Sequence, residues 1–164
     1  MSENFKNELS GRELVEKYSA MIYRLAYARL QNISDAEDVT QEVLLKYIRS
    51  GKTFNDEEHR KAWILKVTVN TIKTMATLAF RRHDVALEEA SDMSYSPQEP
   101  SGVKEAVRQL PEKYRTVIHL FYFEDLSVNE IAKITGKTAG TVKSQLSRAR
   151  EKLKELLSED EQYV

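Results

Sequence analysis

Cysteine is absent from this chain of 164 residues, and residues that interrupt helices are scarce, with five glycines and three prolines. Without cysteine the chain has no disulfide, no thiolate metal ligand and no cysteine nucleophile. The low glycine and proline content leaves few tight turns for a β-rich fold. No apolar run approaches the roughly 20 residues that span a bilayer, and residues 1–9 carry no apolar signal segment. The sequence therefore predicts a cytoplasmic protein without membrane insertion.

Motifs for catalysis and for cofactors are also missing. The three histidines, His59, His83 and His119, lie far apart and lack the spacing of metal ligands. There is no glycine-rich phosphate loop, and nothing in the sequence arranges serine, histidine and aspartate as a triad. His119 falls within an apolar helix and is expected in the core or at its boundary. The sequence predicts no enzyme, no catalytic residue, no metal site and no cofactor.

The net charge is only −1, so any surface for nucleic acid has to be local. Residues 83–101 hold five acidic side chains, several serines and two prolines, but no lysine or arginine. Such a segment cannot bury enough apolar area to offset the entropy of ordering. We interpret it as an acidic linker between one domain of residues 1–82 and another of residues 102–164. A long ordered loop within one domain is the alternative.

Apolar residues recur at helical spacing and predict an all-α fold. In the first domain, Ser34 and Glu37 resemble a capping box that opens a second helix, and Gly51 ends it. A third helix is expected over residues 56–82, weakened from Thr74 onwards by β-branched residues. In the second domain, Pro111 is expected in the first turn of a helix. The helices predicted there span residues 103–110, 111–123, 127–135 and 138–157.

The last two of these helices have the pattern of a helix-turn-helix. Ser127 and Glu130 form a second capping box, Ala132 is small where helices cross, and Gly136 suits a turn. The last helix has an apolar stripe at spacings of 4, 3, 4 and 3: Val142, Leu146, Ala149, Leu153 and Leu156. Its other side carries side chains that can bond base edges and phosphates: Thr141, Lys143, Ser144, Gln145, Ser147 and Arg148. A solvated amphipathic helix is the simpler alternative, but the full pattern favours DNA binding.

Two faces in the first domain have a chemistry of their own. Asp38, Gln41, Glu42 and Leu45 share one helix face, which is acidic and amide-bearing with an apolar tip. Such a face suits a basic partner helix, although chemistry alone favours a solvated surface. The third helix combines aromatic and basic residues, a composition typical of proteins that bind opened DNA. Trp63 is expected in the core, and the basic side chains that can follow a phosphate track are Arg60, Lys61, Lys66, Lys73, Arg81 and Arg82.

Five segments of the C-terminal domain form a recognisable pattern: residues 110–115 (LPEKYR), 124–127 (EDLS), 130–132 (EIA), 141–144 (TVKS) and 147–150 (SRAR). With these segments the domain resembles that of bacterial extracytoplasmic-function sigma factors, which belong to the sigma-70 family. It implies a region 4-like domain that recognises the −35 promoter element. Many relatives have arginine where this chain has Gln145. Related helix-turn-helix domains occur in response regulators, so this half alone leaves two candidate classes.

The N-terminal domain resembles sigma region 2 and separates these candidates. Residues 35–42 (DAEDVTQE) resemble the polymerase-binding helix, in which the positions of Asp38 and Gln41 engage the coiled coil of the largest catalytic subunit. Trp63 and Asn70 match positions of the region that binds the −10 element and opened DNA. Residues 74–80 depart from the family there, near its flipped-base pocket. A response regulator needs an acidic phosphoacceptor pocket on a βα fold, and the sequence has none.

The resemblance implies an alternative sigma factor that binds core polymerase, including its flap, and directs it to promoter DNA. It also implies an anti-sigma factor as regulator and places the acidic linker near the RNA path of the polymerase. Two alternatives stay open at this point. One is a stand-alone helix-turn-helix regulator that never contacts polymerase, and the other is an inactive sigma-like decoy.

Overall fold

The structure, a computed structural model, describes residues 9–83 and 102–161, with the backbone alone described for residues 79–83, 160 and 161. Within these ranges the chain is helical and contains no β-strand, which confirms the predicted fold class. It divides into two compact units, Met1–Arg82 and His83–Val164. Residues 84–101, which hold most of the predicted acidic linker, lie outside the described residues.

Three helices build the first unit: α1 (Gly11–Leu30), α2 (Ile33–Ser50) and α3 (Glu57–His83). The Ser10 hydroxyl caps α1 by accepting a hydrogen bond from the backbone of Glu13 at 3.2 Å. Gln31, with a left-handed φ of 53°, ends α1. Only two residues, Gln31 and Asn32, connect α1 to α2. This short connection lets α1 and α2 pack along each other as a helical hairpin.

The start of α2 differs from the prediction. Asn32, not Ser34, caps the helix, because its side-chain oxygen accepts a hydrogen bond from the backbone of Asp35 at 2.8 Å. The predicted capping box of Ser34 and Glu37 is therefore wrong, and Ser34 lies inside the first turn. Asparagine caps as well as serine does, and the sharp turn at Gln31 brings it into place first. The predicted end at Gly51 is confirmed, with a left-handed φ of 58°.

The long helix α3 runs without a break through its threonines. Its first turn is capped by Asp56, whose carboxylate accepts a hydrogen bond from the backbone of His59 at 2.7 Å. The hydroxyls of Thr68, Thr74 and Thr77 each donate to the carbonyl four residues earlier, so they satisfy themselves within the helix. The largest fully buried apolar side chains of the unit are Leu14, Ile22, Leu25, Val39, Val43, Ile64, Leu65 and Ile72.

Four helices form the described part of the second unit: α4 (Gly102–Gln109), α5 (Glu112–Ile118), α6 (Val128–Thr135) and α7 (Ala139–Glu161). Pro111 stands at the N-cap of α5 rather than in its first turn. The helix does continue to Phe123, but its end, His119–Phe123, is a π-helical turn. In this π turn the backbone N–H of Glu124 donates to the carbonyl of His119, five residues earlier, at 3.2 Å.

The predicted capping box and glycine turn of the helix-turn-helix are confirmed. The capping box at α6 is complete, with Ser127 and Glu130 bonded reciprocally at 3.1 and 3.2 Å. Gly136 follows α6 in the left-handed conformation, at φ 70°. Thr138 then caps α7 by accepting a hydrogen bond from the backbone of Thr141 at 3.1 Å. α4, α5 and α6 all pack against α7, which is therefore the central element of this unit.

The turn glycine gives a test of the helix-turn-helix geometry. A β-carbon at Gly136 would meet no atom within 4 Å, so the cost of Gly136→Ala is conformational. We expect a loss of about 1–2 kcal/mol, the usual penalty for a left-handed alanine. Hydrogen exchange of α6 and α7 amides in the full chain should measure it, while emission of Trp63, the single tryptophan, monitors the other unit.

Gly140→Ala is the matched control for Gly136→Ala. Gly140 lies inside α7 without a positive φ, and an added β-carbon would touch only the Thr138 hydroxyl at 4.0 Å. This variant should be neutral or more stable by about 0.4–1 kcal/mol. Equal effects of the two alanines would show that the backbone of Gly136 is not the constraint described above.

Candidate functional site

Packing divides the side chains of α7 into a buried stripe and an exposed polar face. Val142, Leu146 and Ala149 are buried, whereas Leu153 and Leu156 are half-buried. Six residues of α7 are predicted to contact DNA. Five of them are exposed, and the sixth, Gln145, is partly buried at the edge of the face. The five exposed ones are Thr141, Lys143, Ser144, Ser147 and Arg148. The exposed face is thus dominated by hydroxyls and cations, which are donors for phosphate and base edges.

One cation of α7 that sequence reasoning missed has a fixed position. The Arg150 side chain is exposed, and its Nε donates a hydrogen bond to the Tyr122 hydroxyl at 2.8 Å. Its guanidinium carbon lies 5.4 Å from the ring centroid of Phe121 and 5.7 Å from that of Tyr122. Tyr122 and Phe121 precede Arg150 by 28 and 29 residues and lie in the π turn, so no local pattern in the sequence indicates the contact.

A buried polar pair lies at the two ends of the π turn. His119 and Glu124 are both buried, with His119 Nε2 and Glu124 Oε1 separated by 3.6 Å. The His119 ring also stacks on Phe123, with centroids 5.3 Å apart. The predicted core or boundary position of His119 is therefore confirmed. The same turn leaves Tyr122 and Phe123 exposed at the surface.

The acidic and amide face of α2 is presented to solvent. Asp38 and Gln41 are exposed, Leu45 is 42% exposed, and Glu42 is half-buried. Ala36, Val39 and Val43 are buried on the opposite side and fix this rotation of the helix. Ile48, one turn beyond Leu45, is 60% exposed and extends the apolar end of the face.

A shallow groove between α1 and α2 adjoins this face. Tyr23, Glu37 and Gln41 are among the residues that line it. Burial, followed by the charges of Glu37 and Tyr27, raises the pKa of the Tyr23 phenol above its ordinary value.

The predicted DNA-binding residues of α3 differ in how far the structure describes and exposes their side chains. Lys66, Asn70 and Lys73 are exposed at spacings of four and three, so they share one side of the helix, and Lys61 is half-buried. The side chains of Arg81 and Arg82, in the last turn of α3, lie outside the described part of the structure.

Trp63 belongs to an aromatic cluster at the start of α3. Its ring lies 5.9 Å from Tyr47 and 5.6 Å from Phe54, measured between centroids, and it is half-buried. Lys52 Nζ lies 5.7 Å from the Trp63 ring centroid. These contacts place Trp63 at the edge of the core, half-buried, rather than fully inside it as predicted.

Arg60 corrects the prediction for α3. It is only 1% exposed, with Nη1 2.9 Å from Glu57 Oε2 and the guanidinium carbon 5.8 Å from the Phe54 ring centroid. The other oxygen of Glu57 lies 2.9 Å from Lys17 Nζ on α1. Arg60 precedes the buried Ile64 by four residues and therefore lies on the buried side of α3. The prediction that Arg60 lines a phosphate track is wrong, and its contacts are structural.

Comparisons with known proteins match both units. The family model of sigma-70 region 2 matches residues 14–84, and that of sigma-70, region 4 matches residues 102–153. The chain is 36% identical over 135 residues to the RNA polymerase sigma factor SigV of Bacillus subtilis (strain 168), covering 77% of this chain and 78% of that protein. This chain belongs to the extracytoplasmic-function sigma factors of the sigma-70 family.

A second relative and a solved structure each align with about nine-tenths of this sigma factor. It is 30% identical over 164 aligned positions to the ECF RNA polymerase sigma factor SigW of the same Bacillus strain, covering 88% of this chain and 87% of that protein. The fold matches that of the sigma factor RpoE from Bartonella quintana, solved in complex with the anti-sigma factor NepR. That match has a TM-score of 0.69 at 24% identity and covers 90% of this chain and 96% of the other.

The predicted family and function are therefore confirmed. This sigma factor binds RNA polymerase core and directs promoter recognition and transcription initiation. Members of its family are initiation factors without catalysis of their own. Among the described residues of the sigma factor, no helix has the length and apolarity that crossing a membrane requires.

The corrected role of Arg60 in the sigma factor predicts a stability effect. Arg60→Gln removes a buried charge from Glu57 and should lower the free energy of unfolding by about 2 kcal/mol, the scale of a charged hydrogen bond. Urea unfolding followed by Trp63 emission measures it, because Trp63 and Arg60 both contact Phe54. Lys66→Gln, on the exposed side of the same helix, should leave the midpoint unchanged. An unchanged midpoint for Arg60→Gln would show that the contact between Arg60 and Glu57 does not stabilise the unit.

Proposed function

We propose that three exposed helix faces divide the work of this sigma factor. The face of α7 recognises the −35 element, the face of α2 binds core polymerase, and the basic side of α3 binds the −10 element and the opened strand. The observation that carries the proposal is that each helix buries one stripe and exposes a face of different chemistry. Because each helix is buried on one side only, the chain can present one exposed face to core polymerase and two to promoter DNA.

The α7 face has the geometry of a recognition helix. Three residues, Gly136 to Thr138, separate it from α6, and its exposed side lies opposite the stripe packed on the unit. Arg148 is exposed and can bond a guanine through two N–H groups. Gln145 is partly buried, so we assign it a secondary base contact. Thr141 lies in the first turn, where its hydroxyl bonds that of Thr138 at 2.8 Å.

The α2 face has the character of a protein-binding surface. Asp38 and Glu42 supply negative charge, Gln41 supplies an amide, and Leu45 and Ile48 supply exposed apolar area. A basic helix with an apolar edge is the complementary partner. By resemblance to the family, we propose that this partner is the coiled coil of the largest catalytic subunit, and that the polymerase flap is a further contact of the chain.

On α3, the exposed Lys66, Asn70 and Lys73 support a path for DNA near the −10 element, with Lys61 at its edge. Arg81 and Arg82 complete this path in the proposal, on the basis of the sequence. The division into residues 1–82, an acidic linker at 83–101 and residues 102–164 belongs to the same proposal. It is supported by the two compact units and by the matched ranges.

An anti-sigma factor is the proposed regulator of this chain. The structural relative RpoE from Bartonella quintana was solved in complex with the anti-sigma factor NepR. Both units expose apolar side chains, including Ile48 and Phe123, which a bound regulator would shield from water. We place the protein in the cytoplasm, where core polymerase and promoter DNA are found.

In vitro transcription with purified core polymerase on a genomic promoter library tests the function directly. The chain should join core and start transcripts at a subset of promoters. A chain that joins core without starting any transcript would be a decoy. A chain that binds DNA without joining core would be a stand-alone regulator.

The double variant Asp38→Ala, Gln41→Ala should weaken binding to core polymerase by at least about tenfold, which corresponds to a loss of about 1.4 kcal/mol at the centre of an interface. Both side chains are exposed, so the fold should be intact. The change is measured by titration of the labelled chain with core. Glu58→Ala removes an exposed carboxylate from α3 and serves as the matched control. Equal core affinity in the double variant would remove α2 from the polymerase interface.

Arg148→Ala should reduce discrimination at one base pair of the −35 element by about 1–3 kcal/mol. The measurement is holoenzyme binding to promoters that the library identifies, each with single base changes in that element. Lys133→Ala, which removes an exposed cation from α6, is the control. A loss that is equal on every sequence would make Arg148 a phosphate contact.

A further inference from the structure

We propose that Arg150 binds a phosphate of the promoter DNA beside the −35 element, and that Tyr122 is the positioning residue that holds it for this contact. The inference deepens the function proposed for α7 and rests on it. Neither residue is among those that the sequence pattern assigns to the DNA-contacting face.

The geometry of Arg150 is that of a held guanidinium. Its Nε is bonded to the Tyr122 hydroxyl at 2.8 Å, and its guanidinium carbon lies within 6 Å of two ring centroids, those of Phe121 and Tyr122. The two rings are edge-on to each other, at 77° with centroids 4.9 Å apart. One hydrogen bond and two cation–π contacts therefore restrict a side chain that is otherwise exposed.

The π turn explains why these rings are available to α7. Its widened backbone, closed by the bond from Glu124 to the His119 carbonyl, carries Phe121 and Tyr122 side by side against Arg150. π turns of this kind are frequent at functional sites. The ring of the buried His119 stacks on the exposed Phe123, and its Nε2 lies 3.6 Å from Glu124 Oε1 at the end of the turn. Tyr122 is still 52% exposed, so the held cation stays at the surface.

The chemistry of the contact points to a phosphate. Nε uses one of the five N–H donors of the guanidinium, and the other four lie on the two terminal amino groups. Such a fork matches two oxygens of a phosphate, and holding it in advance reduces the entropy lost on binding.

The surrounding charge favours DNA over a protein carboxylate. Lys143 precedes Arg150 by seven residues and Lys154 follows it by four, so the three cations share one side of α7. All three are exposed. Residues 141–154 contain five basic side chains and one acid, Glu151. A row of cations beside a groove-binding face is the usual arrangement for the flanking sugar-phosphate backbone.

Salt dependence of holoenzyme binding to promoter DNA tests the inference, measured between about 50 and 200 mM salt. Arg150→Gln should weaken binding equally on all promoter sequences and reduce the slope of log affinity against log salt by about 1. Arg150→Lys keeps the charge, so it should keep the slope while losing affinity. Lys113→Gln is the matched control, because Lys113 also lies over an aromatic ring, at 5.2 Å from Tyr114, but outside α7.

Tyr122→Phe separates positioning from general packing. It removes only the hydroxyl that Arg150 uses, and should weaken DNA binding by roughly 2- to 10-fold without changing the salt slope. In an Arg150→Gln background the same change should have no further effect. Equal losses in both backgrounds would show that Tyr122 acts through packing, and would overturn its positioning role.

Other outcomes also decide the matter. An unchanged salt slope for Arg150→Gln overturns the phosphate contact, and a loss of core assembly in its place assigns Arg150 to a protein partner. If the unaltered holoenzyme binds no promoter, the proposed function fails. If the unaltered holoenzyme binds promoters and Arg150→Gln leaves the salt slope unchanged, the proposed function stands and only the inference about Arg150 is wrong. Exchange protection of α7 amides checks that each variant is folded.

Discussion

The burial of Val142, Leu146 and Ala149 fixes the rotation of α7, and the surface chemistry of the second unit follows from it. Each apolar side chain removed from water stabilises the packed arrangement by about 25 cal/mol per Å². A turn of the helix about its axis would expose this stripe and bury cations such as Arg148. Hydroxyls and cations therefore have one possible position, on the outer face. Three helices pack on α7, so its rotation also determines where the π turn meets it.

The same physics explains how much could be predicted from the sequence. Apolar periodicity correctly indicated the helices, because burying one side of a helix leaves a regular trace in the order of residues. The capping box at Ser127 and the glycine turns at Gly51 and Gly136 were also predictable. Each depends on a few neighbouring residues and on backbone angles that few residue types adopt. The exposed faces of α2 and α7 follow once the buried stripes are known.

What the sequence did not reveal depends on neighbours that are distant in the chain or on competition between similar signals. Asn32 and Ser34 are both suitable caps, and the conformation of Gln31 selects the first. Arg60 resembles the other basic residues of α3, but Phe54 and Glu57 enclose it. The hydrogen bond between Arg150 and Tyr122 joins residues 28 positions apart through a π turn that has no simple composition.

The separation of stripe and face in α7 also bears on how promoter preference evolves. The apolar stripe that packs α7 on the unit is buried, whereas Ser144, Ser147 and Arg148 are exposed. Exposed substitutions of this kind usually change stability by less than about 0.5 kcal/mol. On the proposed −35 face of α7, new base contacts can thus arise one residue at a time while the unit stays folded.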